Sequence, residues 1–173
     1  MNLNIRPCTA ADAGALALVG QATFLETYAT NLPAADLLAH CAHEHGPARY
    51  AEWLAKPADH RLWGAEITES GVLVGYVMLS SPDLPVATGP GDLEVKRIYL
   101  LSRFHGGGVG ARLMAMALET AKALGAPRVL LGVYGENANA LAFYARQGFT
   151  EAGVRKFQVG ANTYDDLVLA KVL

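Results

Sequence analysis

The sequence is poor in cysteine, in charge and in long apolar runs. Its 173 residues include only Cys8 and Cys41, with no Cys-x-x-Cys pair, which excludes a disulfide framework and a cysteine-based zinc site. No apolar run reaches the roughly 18 residues that span a bilayer, and the N-terminus lacks the apolar core of a signal peptide. With 52% hydrophobic and 17% charged residues, intrinsic disorder is excluded. We therefore expect one cytoplasmic domain over residues 1–173, with no membrane partner.

The net charge of −2 argues against a dedicated nucleic-acid binder, but it conceals an uneven distribution. Residues 1–94 contain eleven acids and four bases and carry −7, so residues 95–173 must carry +5. Between residues 95 and 118 there are four bases and no acid. The basic stretch favours an anionic ligand. The acidic first part favours a cationic one, although scattered surface acids would explain that count equally well.

Hydrophobic periodicity and turn residues predict a chain of alternating helices and strands. The order combines antiparallel hairpins with a crossover connection, which indicates the α+β class with a mixed sheet. Gly160-Ala161-Asn162 is predicted as the turn of the closing hairpin. The predicted strands cover residues 3–6, 63–68, 72–80, 93–101, 128–133, 150–158 and 164–172, and the predicted helices cover residues 10–28, 33–55 (one or two helices), 109–124 and 137–148.

Four glycines lie within His105–Gly110, between a predicted strand and a predicted helix. Without side chains in the way, a phosphate can reach the free amides at the helix start, where the helix dipole also favours anions. Arg103 and Arg112 flank this turn. A P-loop is excluded because the chain has no Gly-Lys pair, and a dinucleotide fingerprint is disfavoured because no acid follows about 20 residues later.

Two segments carry recognisable motifs. Residues 94–110 read Glu-x-x-Arg-Ile-Tyr-Leu-x-x-x-x-His-Gly-Gly-Gly-Val-Gly, and residues 137–149 read Asn-x-x-Ala-x-x-Phe-Tyr-x-x-x-Gly-Phe. These resemble the pyrophosphate-binding motif and the second motif of the GCN5-related N-acetyltransferase (GNAT) superfamily. The sequence departs from the family at His105, where Gln or Arg is usual, and at Ser102, where Pro is frequent. The resemblance implies a GNAT-like, mostly antiparallel mixed sheet with a splayed parallel pair and flanking helices.

The resemblance also implies that acetyl-CoA, as co-substrate, lies where strands 93–101 and 128–133 splay apart. Backbone groups of the first strand would pair with the pantetheine arm, and amides of the glycine turn would hold the pyrophosphate. Asn137 would reach the pantetheine and Tyr144 the sulfur, although helix capping alone would explain Asn137 and packing alone Tyr144. The implied cofactor-binding residues are Ile98, Tyr99, Leu100, His105, Gly106, Gly107, Gly108, Val109, Gly110, Ala111, Asn137 and Tyr144.

The implied reaction is attack of a neutral amine on the thioester. A primary alkyl amine with a pKa near 10.4 loses roughly 4.6 kcal/mol to protonation at pH 7, so proton removal is the larger problem. Glu94, at the start of the central strand, is the candidate general base, acting through water. Tyr144 is the candidate acid for the departing thiolate. An exposed strand-end carboxylate is the alternative interpretation of Glu94.

The resemblance implies an acceptor site built mainly from the N-terminal helices and the closing hairpin. On the first helix, the candidate substrate-binding residues are Phe24, Glu26, Thr27 and Tyr28. The segment Thr23–Tyr28 resembles a bacterial subgroup that includes polyamine acetyltransferases, which suggests a small cationic amine. Core packing would also explain the aromatic residues. A protein or peptide N-acetyltransferase and a non-catalytic acyl-CoA sensor remain alternatives, and the sequence is compatible with a homodimer.

Three histidines within residues 40–45 make a zinc or nickel site chemically conceivable. The implied reaction uses no metal, so we interpret this cluster as a polar helix end and expect no metal cofactor.

Overall fold

A computed structural model describes residues 2–160 and 162–173 of the chain. Within them, seven strands form a sheet in the order β1-β2-β3-β4-β5-β7-β6. The strands are β1 (Leu3–Pro7), β2 (His60–Ile67), β3 (Leu73–Ser80), β4 (Leu93–Leu100), β5 (Arg128–Tyr134), β6 (Thr150–Val159) and β7 (Asn162–Val172). The helices are α1 (Ala13–Tyr28), α2 (Ala34–Glu44), α3 (Pro47–Leu54), α4 (Val109–Ala123) and α5 (Ala138–Arg146).

All neighbouring strands of this sheet are antiparallel except β4 and β5. That pair is parallel and is joined only at Leu93 opposite Val129 and Glu94 opposite Leu130. The mixed, mostly antiparallel sheet with one parallel pair confirms the predicted fold class. No helix in the described part of the chain has the length and apolar character needed to cross a bilayer.

The predicted order of elements is confirmed, with small differences at their ends. The first helix begins as a 3-10 turn at residues 10–12, stabilised by a capping box between Thr9 and Asp12, and continues as α1. Strand β2 begins at His60, three residues before the predicted start. The predicted turn at residues 160–162 includes Ala161, which lies outside the described residues.

A β-bulge in β4 determines which side chains face the two sides of the sheet. Val95 pairs with Leu79 and Arg97 pairs with Met78, so the residue between them has no partner on β3. Because paired residues share a face, Arg97 joins Glu94 on one side of the sheet although an odd number of positions separates them. Val95 packs with α4 in the core on the other side.

A buried polar network lies beneath α1. The Tyr50 hydroxyl lies 2.5 Å from the Tyr76 hydroxyl and 2.9 Å from His45 Nδ1. Burial, together with the charge of Arg97, lowers the pKa of His45 to about 2, so its imidazole is neutral. Gly20 of α1 packs directly on this network, and a Cβ there would overlap His45 Nδ1 and the Tyr50 hydroxyl oxygen.

Two glycines of α1 therefore respond in opposite ways to the same substitution. Gly20→Ala is expected to lower the free energy of unfolding by about 1–3 kcal/mol, since the added methyl overpacks the network. Gly14→Ala, with no atom within 4 Å of its Cβ, is expected to raise it by up to ~1 kcal/mol through helix propensity. Urea unfolding of both variants tests this, and equal effects would contradict the packing described here.

Candidate active site

The separation of β4 and β5 opens the main cleft of the molecule. Beyond Glu94 and Leu130 the two strands no longer pair, and a cavity of about 1040 Å³ occupies the gap. Its walls come from α1, from β4 and the glycine turn, from α5, and from the closing strands β6 and β7. The cleft therefore gathers segments that are far apart in the sequence.

The glycine turn forms one end of this cleft, at the N-terminus of α4. Gly106 and Gly108 have φ angles of 80° and 76°, and no atom lies within 4 Å of where their Cβ atoms would stand. Open backbone next to a helix N-terminus suits the phosphates of a CoA thioester. Gly106, Gly108, Gly110 and Ala111 line the cleft, and Val109 is buried beneath it. Gly107 is not among the lining residues.

Two side chains near the turn form hydrogen bonds to backbone carbonyls of the protein. His105 Nε2 donates a hydrogen bond to the Leu100 carbonyl at 2.9 Å, which links the turn to the end of β4. Arg112 donates to the Leu3 carbonyl at 3.2 Å, so its guanidinium is held at β1. Ile98, Tyr99 and Leu100 of β4 all line the cleft.

Glu94 lies at the point where β4 and β5 separate. Only 3% of the residue is exposed, so the alternative of an exposed strand-end carboxylate is wrong. Its Oε2 accepts a hydrogen bond from the Asp83 backbone at 2.7 Å. Burial raises the pKa of this carboxyl, against the opposing effects of that hydrogen bond and of the charges of Lys96 and Arg155.

Tyr144 and Asn137 reach the cleft from α5. Tyr144 packs in the core on the α4 side of the sheet, which is opposite to the side that Glu94 faces. Burial raises the pKa of its phenol, and the hydroxyl makes no hydrogen bond to any residue that the structure describes. Asn137 caps α5 by accepting a hydrogen bond from the Ala140 amide at 3.1 Å, and it also lines the cleft.

Three of the four predicted substrate-binding residues line the cleft, namely Phe24, Thr27 and Tyr28. Glu26 is not among the lining residues. Its carboxylate instead accepts hydrogen bonds from the Ser102 amide and hydroxyl, both at 3.0 Å, and so fastens α1 to the segment before the glycine turn.

The closing hairpin was expected at the acceptor site, but sequence reasoning named none of the side chains that it brings to the cleft. Arg155 and Phe157 of β6, Asp166 of β7 and Tyr134 of β5 all line it. Arg155 and Phe157 are two positions apart, a spacing that puts both on one face of a strand. The spacing alone does not show whether that face points to the cleft, because this depends on the order of β5, β7 and β6 in the sheet.

Aromatic rings line the side of the cleft away from the glycine turn. His40 stacks on Phe24 with ring centroids 4.3 Å apart, and it meets the edge of Phe157 at 5.9 Å. The ring centroids of Tyr28 and Tyr134 lie 6.0 Å apart. Within residues 2–160 and 162–173, no three His, Cys, Asp or Glu side chains gather as a metal site would require.

A mixed sheet that opens at one parallel strand pair, with a glycine-lined helix N-terminus in the opening, defines a CoA-dependent acyltransferase fold. Comparison with known sequences makes this specific, since residues 23–149 match the acetyltransferase (GNAT) family. The chain belongs to this family and is an acetyl-CoA-dependent N-acetyltransferase.

Individual relatives agree with this assignment. The chain is 40% identical to an uncharacterised N-acetyltransferase of Mycobacterium bovis, over 73% of this chain and 75% of the relative. It is 36% identical to the N-alpha-acetyltransferase RimI of Mycobacterium tuberculosis, over 68% of this chain and 71% of that protein. The fold matches PaiA N-acetyltransferase from Thermoplasma acidophilum, solved with coenzyme A, with a TM-score of 0.79, 18% identity and full coverage of both chains.

The buried carboxyl of Glu94 predicts a stability effect that is separate from catalysis. Because its pKa is higher in the folded protein, the wild type loses stability as the pH rises from the unfolded-state value of about 4.3 through the folded one. Glu94→Gln is therefore expected to be more stable than wild type at pH 7, by a margin that shrinks at pH 5. Denaturant unfolding at both pH values measures this.

The matched control is Glu119→Gln, which neutralises an exposed carboxylate on α4. It should show no comparable pH-dependent gain. A Glu94→Gln protein that is less stable than wild type at pH 7 would mean that the hydrogen bond from Asp83 outweighs the cost of burying the charge.

Proposed function

We propose that the protein acetylates a small primary amine, with Glu94 as the general base and Tyr144 as the acid for the leaving thiolate. The observation that carries this proposal is the placement of the two side chains on opposite sides of the opening between β4 and β5. An amine can then approach the thioester from the side of Glu94, while the sulfur departs on the side of Tyr144.

Burial raises the pKa of both side chains. Burial raises the pKa of Glu94, which makes its carboxylate a stronger base than an exposed one. It would accept the proton that the amine loses as the new C–N bond forms, directly or through a water molecule. Tyr144 keeps its proton because burial raises the pKa of its phenol, and it would donate that proton to the sulfur as the C–S bond breaks.

The charges of the cleft favour a monoamine over a polyamine. Glu44 pairs with Arg97 at 2.8 Å, and Asp166 pairs with Arg155 at 2.9 Å. Lys96 lies 3.4 Å from Asp83. Since these acids already have cationic partners, the lining offers few free carboxylates to a polycation. The small cationic acceptor suggested by the sequence would therefore have a single amino group.

The closing hairpin supports a small acceptor over a peptide. Asn162 donates a hydrogen bond to Asp36 at 2.9 Å, and the Tyr164 hydroxyl donates to the Asn31 carbonyl at 3.4 Å. These contacts join β7 to α2 and to the α1–α2 connection across the acceptor end. A peptide substrate, the alternative that the sequence left open, would need an open groove there.

The two catalytic assignments predict an order of effects. Glu94→Gln is expected to lower kcat at least ~100-fold, because proton removal is the larger barrier. Tyr144→Phe is expected to lower kcat by about 10-fold or less, because a thiol with a pKa near 8.5 leaves readily without help. Thiol release from acetyl-CoA, measured from pH 6 to pH 9 across a panel of amines, tests both variants.

Two outcomes would contradict these roles. A larger loss for Tyr144→Phe than for Glu94→Gln would reverse the assignment. Stabilisation of the wild type by acetyl-CoA without turnover on any amine would favour the sensing module instead.

The glycine turn predicts a loss of cofactor affinity at one position and not at its matched control. Gly108 and Gly125 have nearly the same φ, 76° and 77°, and both have open space at Cβ. Alanine at either should cost about 1 kcal/mol of stability through left-handed strain. Only Gly108→Ala adds a methyl within the cleft, so the Kd for CoA should rise about 10-fold there and stay within about 2-fold for Gly125→Ala. Calorimetry with CoA measures both, and equal weakening would refute a phosphate site at this turn.

A further inference from the structure

Arg155 occupies a prepared position in the acceptor half of the cleft. Its guanidinium packs against Gly132, where a Cβ would come within 2.5 Å of the Cζ of Arg155. Asp166 holds it through one carboxylate oxygen, Oδ2, which accepts hydrogen bonds from Nε at 3.0 Å and from Nη2 at 2.9 Å. The guanidinium also lies 5.2 Å from the centre of the Phe157 ring. Its orientation is thus determined from three sides.

This guanidinium faces the same side of the sheet as Glu94. Cross-strand partners share a face, and Glu94 pairs with Leu130 on β5, two positions before Gly132. Further along the same face, Tyr134 pairs with Asp166, which in turn pairs with Arg155. The positive charge of Arg155 acts on the pKa values of Glu94, Tyr28 and Tyr99, where it opposes the larger effect of burial.

The Arg155–Asp166 pair still has hydrogen-bonding capacity. Nη1 of Arg155 has no partner among the residues that the structure describes, whereas both Nη1 and Nη2 of Arg97 bond to Glu44. The other oxygen of Asp166, Oδ1, is buried and has no partner in the described part of the chain. Buried polar groups are normally satisfied, so Oδ1 is suited to a hydrogen-bond donor of a ligand. Nη1 of Arg155 is suited to an acceptor, such as a carboxylate oxygen.

We propose that Arg155 binds a carboxylate of the acceptor, so that the acceptor is an amino acid with a free acid group close to its amine. This inference rests on the proposed function, because it assumes that the amine is directed to Glu94. Arg155 would contribute charge-assisted hydrogen bonds from Nη1 to the acid. Asp166 is the positioning residue that fixes the guanidinium. The aromatic rings of Phe24, Tyr28 and Phe157 would then pack against an apolar side chain.

The first experiment compares an amino acid with its own amide on wild-type enzyme and on Arg155→Met. The two acceptors differ in their acid group, and also in amine pKa, so the informative quantity is how their kcat/KM ratio changes between proteins. Loss of a charge-assisted hydrogen bond is expected to lower kcat/KM for the amino acid by about 10- to 100-fold in Arg155→Met, mainly through KM. For the amide the change should stay within about 3-fold.

Lys156→Met is the matched control, since Lys156 is the next residue of β6 and forms an exposed ion pair with Asp165. It should leave the ratio unchanged. Arg155→Lys keeps the charge but loses the planar pair of donors, and is expected to give an intermediate loss. This second variant also keeps a cation beside Asp166, so it tests the proposal if Arg155→Met does not fold. A parallel loss on amino acid and amide in either variant would overturn the proposal.

Binding separates failure of this inference from failure of the proposed function. Calorimetry of the wild type loaded with CoA should show tighter binding of the amino acid than of its amide, and Arg155→Lys should reduce that difference. If the amino acid binds more tightly than its amide but no amine is acetylated, the carboxylate site stands and the catalytic proposal fails. If amines without an acid group are acetylated as efficiently as amino acids and bind as tightly, the catalytic proposal stands and the carboxylate site is refuted.

Discussion

The architecture of the site depends on one short pairing between parallel strands. Strands β4 and β5 are joined at only two pairs of residues, and every residue of β4 after Glu94 is free of β5. Longer pairing would close the sheet and remove the cleft, whereas no pairing would leave the two halves of the sheet without hydrogen bonds between them. The antiparallel pairs on either side hold the two strands apart, since β4 pairs with β3 and β5 pairs with β7 along most of their lengths. Backbone groups of β4 are thereby left available to a ligand.

Burial links the stability of the fold to the chemistry of the site. The β-bulge next to Val95 lets Glu94 and Arg97 share a face that the ladder would otherwise separate. The carboxyl of Glu94 is desolvated there and receives one backbone hydrogen bond, an arrangement that weakens the folded state but produces a stronger base. A residue selected only for stability would be apolar at this position, as its pairing partner Leu130 is.

Local signals in the sequence predicted the fold and the cofactor half of the cleft better than the acceptor half. The glycine turn and the capping of α5 by Asn137 each involve only a few consecutive residues, so the local sequence is enough to predict them. Arg155 and Asp166 reach the cleft only because β7 inserts between β5 and β6, a strand order that no local pattern encodes. Glu26 lies next to predicted acceptor residues, but its side chain points to Ser102, since neighbours on a helix diverge by about 100°.

Contacts between the two parts of the sequence offset some of its uneven charge. Acids of residues 1–94 pair with bases of residues 95–173 in three places, Glu44 with Arg97, Asp83 with Lys96, and Asp92 with Arg128. The acidic first part is therefore partly neutralised on folding, and its formal charge does not describe the surface that an acceptor meets. Arg155 differs from these bases because its partner Asp166 comes from the same second part. Arg155 also lines the cleft, and its Nη1 has no partner among the residues that the structure describes. The guanidinium of Arg155 thus favours an acceptor with an acid group beside its reacting amine over an acceptor with additional amines.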